Sequence, residues 1–151
     1  MASSRGAANA ALYRARVLLD AWDSAATASN HSEDLLIEAF LPAVQGHLRD
    51  AYGWFLLAVA GVEEAGRSQP PHAVADVPAA EAGKAVAPEL REFSLLEEEG
   101  WIGEMLSIYR PGSSGPVGRS TPGLLSSDRE APGPAVVRRW LEKLNSTMQR
   151  M

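Results

Sequence analysis

A run of twelve residues without a charged side chain, AYGWFLLAVAGV at residues 51–62, constrains the fold of this chain most. Charged residues bound the run on both sides, and it is shorter than the roughly 20 apolar residues that a helix needs to cross a membrane. A helix that is apolar all round belongs in the middle of a bundle, where several neighbours cover it. We therefore expect residues 33–64 to form a long central helix, with a kink or a break at Pro42 or Gly46.

Apolar side chains at helical spacing predict another helix before this one, over residues 7–28. Its core-facing stripe consists of Leu12, Ala15, Leu19, Trp22 and Ala26. The charged residues outside that stripe are expected to face solvent: Arg14, Arg16, Asp20 and Asp23. Between the two helices, Asn30 and Glu33 have the spacing of a capping box that opens the central helix.

Two more helical regions follow in the second half of the chain. Residues 88–109 carry apolar stripes on both sides of Gly100, which ends or bends the helix. The last helix starts at Pro134, because proline suits a first turn, and its apolar stripe consists of Val137, Trp140, Leu141, Leu144 and Met148. Each of the four regions holds one tryptophan at a core position, which predicts a shared aromatic core of Trp22, Trp54, Trp101 and Trp140.

Two proline-rich connections separate these regions. Residues 66–88 form a Pro/Ala-rich connection that we expect to be mostly loop, and residues 111–134 form a Pro/Gly-rich linker that we expect to be mobile. Both are long enough to cross over a bundle. The sequence therefore predicts one all-α domain over residues 1–151. We expect a single antiparallel helical bundle of four helices, or five if Gly100 breaks the third, with a long kinked second helix.

Composition excludes several classes of function. The chain has no cysteine, which removes disulfides, thiol nucleophiles and cysteine-based zinc sites. Its net charge of −5 argues against broad binding to nucleic acid, although a local basic patch remains open. Arg14 and Arg16 interrupt the apolar residues near the amino terminus, so no secretory signal is expected and the cytoplasm is the default location. We expect no membrane association.

The stretch GSSGPVGRST, residues 112–121, imitates the end of a nucleotide-binding P-loop but fails its requirements. A P-loop needs a glycine where Ser113 stands and a lysine where Arg119 stands. Pro116 removes one backbone N–H from the phosphate cradle. We interpret the stretch as linker.

A second candidate site is Arg67 and His72, which have the Arg-x4-His spacing of metal-independent RNases of the HEPN type. Arginine would steady phosphate charge there while histidine moves a proton during 2′-OH attack. Pro70 and Pro71 forbid a continuous helix between the two residues, which favours a surface loop with an incidental histidine.

A third candidate is a polar cluster within the central helix: His47, Arg49, Asp50 and Tyr52. His47 and Asp50 share a helix face and could serve as an acid/base pair or as two ligands. A dinuclear carboxylate site would need a Glu-x-x-His pair, and Val44 stands where its glutamate would be. The preferred interpretation is structural, with Asp50 paired to Arg14 or Arg16 of the first helix.

The last helix is the one locally basic element. Its residues Arg138, Arg139 and Lys143 are expected to face Glu97, Glu98 and Glu99 within the chain, or else an anionic partner.

Three segments carry a family resemblance: NAALYRARVLLDAW, LREFSLLEEEGWIGEMLSIY and the closing RRWLEKL. Their apolar pattern around Trp101 and Trp140 resembles a family of small uncharacterised gammaproteobacterial proteins, a domain of unknown function. The resemblance implies a small helical protein of the bacterial cytoplasm and brings no activity, cofactor or site residue with it.

No residue set meets the requirements of a recognisable active site, so the leading hypothesis is a non-enzymatic interaction or binding module without a cofactor or a metal. It would act on an unknown protein partner, a second copy included. Two alternatives stay open: a HEPN-like RNase or an inactive relative, and a small-ligand-binding bundle with a polar pocket on the central helix.

Overall fold

The apolar stripes of the sequence become five α-helices in the computed structural model, which describes residues 3–28, 30–61, 69–77, 88–107 and 131–150. The elements are α1 (Ser4–Ala28), α2 (Glu33–Val59), α3 (Pro88–Glu99), α4 (Trp101–Leu106) and α5 (Pro134–Arg150), with one 3-10 turn at Val74–Asp76. These residues contain no strand, and the fold is the predicted all-α helical bundle. None of the described helices is long and apolar enough to span a membrane.

The start of α2 is capped by a different residue from the one predicted. Ser32 lies directly before the helix in an extended conformation, and its hydroxyl accepts the Leu35 N–H at 3.1 Å. Asn30 lies too far from the first turn for this role, so the capping box of Asn30 and Glu33 is wrong. Glu33 and Asp34 still place negative charge at the positive end of the helix dipole.

The helix α2 runs without a break through Pro42 and Gly46, so the predicted break is absent. It ends at Val59 instead of residue 64. Gly61 adopts a φ of 77°, a left-handed conformation that glycine favours and that stops a right-handed helix. Its N–H reaches back to the Ala58 carbonyl at 3.1 Å.

As predicted, α2 is the central element: it contacts α1, α3, α4 and α5. Its residues 51–57 are all buried, because neighbours cover every side of this charge-free stretch. The aromatic rings meet around α2, with Trp22 stacked on Phe40 at 5.9 Å between ring centroids. Phe93 of α3 packs at 5.8 Å against Phe55. Three of the four tryptophans are buried, whereas Trp101 is half-buried.

The third helical region divides in two at Gly100, the five-helix alternative of the prediction. The helix α4 is short, and Gln45 of α2 holds its end, because the Gln45 amide donates to the carbonyls of Met105 and Ser107 at 3.4 and 3.1 Å. The linker predicted to be mobile lies outside the described residues except for its last four positions.

The helix α5 begins at Pro134, as predicted, and its stripe of five core residues is buried. Its basic residues do not meet the acidic run of α3. Arg138 donates to Asp20 and Asp23 of α1 at 3.0 and 2.6 Å, because α5 packs against α1 at this level. Near the other end of α5, the Arg5 guanidinium of α1 donates to the Met148 carbonyl.

Candidate functional site

The polar residues of α2 face a short segment, residues 69–77, that crosses the helix. At the crossing, a side-chain Cβ on Gly53 would lie 1.9 Å from the carbonyl oxygen of Pro71, so only glycine lets the two backbones approach this closely. The segment contains His72 and the 3-10 turn Val74–Asp76. The predicted loop between α2 and α3 thus brings polar groups onto the middle of α2.

Glu97 links α3 to α2 and to the segment 69–77. One of its carboxylate oxygens, Oε2, accepts the Tyr52 hydroxyl at 2.5 Å and the Val74 N–H at 2.9 Å. Burial raises the pKa of the Tyr52 hydroxyl far above its ordinary value, and the hydrogen bond to Glu97 and that carboxylate's charge raise it further. Tyr52 is therefore a neutral donor that ties α2 to α3.

His72 lies beside Asp50, with 3.7 Å between its Nε2 and the Asp50 Oδ1. The two side chains are 39% and 46% exposed, so solvent reaches the pair. The predicted pairing of Asp50 with Arg14 or Arg16 is wrong, because both arginines are exposed on α1 and the Asp50 carboxylate lies beside His72 instead. Arg67, the other half of the predicted RNase motif, lies outside the described residues.

His47 and Arg49, the other two members of the predicted cluster, do not take part in these contacts. His47 is half-buried on α2, and no hydrogen bond or ion pair connects it to Asp50 among the described residues. Arg49 is half-buried as well, and its Nε is a buried donor without a hydrogen-bond partner there. The structure therefore brings Asp50, Tyr52, His72 and Glu97 into one region and leaves His47 aside.

Among the described residues, the hydrogen bonds of this region hold the crossing of segment 69–77 over α2 together. The Tyr52 hydroxyl and one carboxylate oxygen of Glu97, Oε2, are engaged in internal hydrogen bonds. Within the described parts of the chain, no group of three or more His, Cys, Asp or Glu residues could hold a metal ion.

Two residues that make these hydrogen bonds, Glu97 and Gln45, were not predicted as site residues from the sequence. Glu97 stands in an acidic run that favours an exposed helix end, and its partners lie 23 and 45 residues away. Gln45 is 1% exposed on α2, and its partners are 60 and 62 residues away. A helical wheel places Glu97 and Gln45 near a buried face. It does not show which residues distant in sequence they bond to.

A second candidate site is the side of α1 that points away from the bundle. We call it the outer α1 face, formed by Ala10, Tyr13, Val17 and Ala21, all exposed. Tyr13 is 66% exposed and Val17 is 49% exposed, one helical turn apart. This face was not predicted from the sequence, although the spacing of its apolar residues is that of a second helical stripe.

The other exposed large apolar residues do not form such a stripe. Leu95 of α3 is surrounded on its helix face by Arg91, Glu92, Glu98 and Glu99. Leu35 lies in the first turn of α2, beside polar residues. Scattered apolar residues are normal on a protein surface, whereas a continuous stripe indicates an interaction site.

A third feature is a shallow groove of about 440 Å³ between α4 and α5. Arg139, Lys143 and Arg150 line it on one side, together with Glu142, and the Lys143 ammonium lies 5.8 Å from the ring centroid of Trp101. Lys143 thus contacts an aromatic ring of α4, and not the predicted acidic run of α3.

Comparison with known proteins finds no matching protein-family model, no matching curated protein and no matching solved structure. The family resemblance described from the sequence therefore stays a prediction.

Proposed function

We propose that this chain is a non-enzymatic, cytoplasmic protein-interaction module that binds its partner through the outer α1 face. The observation that carries the proposal is the exposure of Tyr13 and Val17 on one continuous apolar stripe. Fully burying an exposed side chain of this size contributes roughly 1.5–3 kcal/mol of stabilisation. A partner that covers Tyr13 and Val17 would therefore gain binding free energy from them.

The difference in burial between the two sides of α1 supports this proposal. The inner stripe of α1, which includes Ala8, Ala15 and Leu19, is completely buried against the bundle. The outer residues add nothing to that core, and a helix on the surface of a bundle is ordinarily polar on its outer side. The outer α1 face departs from that pattern over about three turns.

A site-specific crosslinking experiment tests the proposal. A photoreactive phenylalanine analogue replaces Tyr13 in the full chain, and the chain is irradiated in cells of its host. We expect an adduct with an identified protein, and we expect the further change Val17→Asp to abolish that adduct. The matched control carries the photoreactive residue at Gln149, which is exposed on α5. Equal adducts from both positions, or none from position 13, would contradict the proposal.

The alternative of a HEPN-like RNase gains no support from the described residues. His72 lies beside Asp50 and no arginine in the described part of the chain pairs with either. RNA cleavage that is lost in an Arg67→Ala, His72→Ala variant would establish this alternative instead. A small-ligand pocket on α2 gains none either, because Tyr52 bonds within the chain and His47 stands apart from the cluster.

A further inference from the structure

We propose that the groove between α4 and α5 binds a short stretch of single-stranded nucleic acid. Arg139, Lys143 and Arg150 pair with its phosphates, and Trp101 stacks against one of its bases. The inference goes beyond the proposed function, because it concerns a different surface and a different class of partner. It rests on the arrangement of these four side chains around one groove.

The three cations of the groove stand in one line. Arg139, Lys143 and Arg150 follow each other on α5 at intervals of four and seven residues. With about 100° of rotation per residue, all three lie within about 40° of each other around the helix axis. The rise of about 1.5 Å per residue spreads them over about 16.5 Å. They form a straight row along one wall of the groove, which we call the basic row.

The basic row is not neutralised within the described parts of the chain. Arg138, one residue before the row, is paired with two aspartates of α1. Arg139, Lys143 and Arg150 are exposed, and none of them forms an ion pair with another described residue. Among the described residues that line the groove, Glu142 is the single acidic one. On a chain with a net charge of −5, this groove is a local region of positive charge that favours an anionic ligand.

The length of the basic row favours a strand over a free nucleotide. Successive phosphates of one nucleic-acid strand advance by about 3.4 Å along the axis of a duplex, so the row spans about five such steps. The phosphates of a free nucleotide sit together at one end of the molecule and cannot reach cations at both ends of the row. A strand of about three to five nucleotides reaches all three, which is a small site for a single-strand binder.

Trp101 supplies a stacking surface beside the basic row. Its ring is half-buried at the start of α4, and the Lys143 ammonium lies 5.8 Å from the ring centroid. A cation–π contact at an exposed site is weaker than the stacking of a base on an aromatic ring. A base can therefore take the place of Lys143 on the ring, while a phosphate of the same strand accepts the displaced ammonium.

The combination of row and ring distinguishes a single strand from other polyanions. Carboxylates of an acidic protein segment can pair with the basic row, but they bring no planar base to Trp101. In a duplex, neighbouring bases cover both faces of each base, so the ring finds no stacking partner. Single-strand binders combine a basic groove with aromatic side chains in the same way.

The salt dependence of binding tests the phosphate contacts. Fluorescence anisotropy measures binding of a labelled oligouridylate of about ten nucleotides to the full chain. Three phosphate contacts predict that the logarithm of the association constant falls with the logarithm of salt concentration at a slope of about −2. Lys143→Gln should reduce this slope to about −1.4 and weaken binding roughly eightfold at about 50 mM salt. Arg14→Gln is the matched control, because it removes one exposed positive charge from α1, which does not line the groove.

A second variant tests the stacking. Trp101→Leu keeps an apolar side chain and every charge but removes the ring. We expect it to bind roughly 5- to 150-fold more weakly, with the slope unchanged. Polyglutamate with the same number of charges and a duplex of the same length should compete poorly with the labelled strand.

Circular dichroism verifies that each variant is folded. If Trp101→Leu is unfolded, the exposed positions of the basic row still decide the question, through Lys143→Gln and Arg139→Gln. The inference is overturned if wild type does not bind the strand at low salt, if Lys143→Gln keeps the wild-type slope, or if Arg14→Gln reduces the slope equally. Folded Trp101→Leu with wild-type affinity also overturns it. Equal competition by polyglutamate overturns it in favour of an acidic protein segment.

Discussion

Replacing Gly53 by alanine should destabilise the protein, although the same change at a typical position in the middle of a helix is stabilising. Alanine is favoured over glycine in a helix interior by about 1 kcal/mol. At Gly53, however, the new methyl group would lie 1.9 Å from the Pro71 carbonyl oxygen and 2.9 Å from the Pro70 Cβ. The segment 69–77 must therefore move away from α2.

The size of the effect follows from this contact. The 1.9 Å separation falls 1.5 Å short of the 3.4 Å at which van der Waals contact becomes ordinary. Forcing extra volume into a packed site costs about 1–3 kcal/mol. Moving the segment also breaks the hydrogen bond from the Val74 N–H to Glu97, a further loss of about 1 kcal/mol. After the gain in helix propensity, Gly53→Ala should lower the free energy of unfolding by about 1–3 kcal/mol.

Gly46→Ala is the matched control, because Gly46 lies in the same helix and a Cβ there meets nothing within 4 Å. It should raise the free energy of unfolding by up to about 1 kcal/mol. Urea unfolding followed by circular dichroism measures both values, and hydrogen exchange of the Val74 amide should accelerate in Gly53→Ala alone. If Gly53→Ala stabilises the protein as Gly46→Ala does, the chain crossing at Pro71 is refuted.

Three further predictions concern single side chains. Glu97→Ala should lower the free energy of unfolding by about 2–3 kcal/mol, because it orphans two donors, whereas the exposed neighbour Glu98→Ala should change it by less than about 0.5 kcal/mol in the same urea titration. The raised pKa of Tyr52 means that the folded state keeps a proton that the unfolded state releases above pH 10. Stability should therefore be complete below that pH and fall by about 1.4 kcal/mol per pH unit above it. Thermal unfolding at alkaline pH should lose this slope in Tyr52→Phe and keep it in Tyr13→Phe, which removes an exposed hydroxyl. Burial alone would lower the pKa of Arg138, but its hydrogen bonds to two aspartates raise it overall, so the guanidinium stays charged. Because these groups are partly exposed, Arg138→Ala should cost no more than about 1 kcal/mol, and the loss measured by thermal unfolding should shrink at 1 M salt.

The helices were predictable from the sequence because each one is encoded locally. The stripe after Pro134 and the charge-free run at residues 51–62 depend only on spacing, and both helices form as expected. Helix ends were less predictable. Ser32 displaced Asn30 as the cap, and Gly61 ended α2 early, because a cap depends on the backbone conformation of one residue.

The partners of polar residues could not be predicted in this way. A helical wheel assigns Arg138 to a face of α5, but the packing of α5 against α1 decides that this residue meets Asp20 and Asp23. The sequence placed Asp50 in a candidate polar cluster on α2. Its contact with His72 depends on the path of the segment 69–77, which the close approach at Gly53 determines and which no periodic pattern encodes.

The contact of α5 with α1 also bears on the order of folding. The helices α1 and α2 are separated by four residues, and they pack more extensively than any other pair, so their association closes only a short loop. Arg138 and Asp23 are 115 residues apart, and closing so long a loop costs more chain entropy. We therefore expect the α1–α2 hairpin to be formed in the folding transition state and α5 to dock after it. Substitutions that strengthen the α5 contacts would then slow unfolding while leaving the rate of folding nearly unchanged.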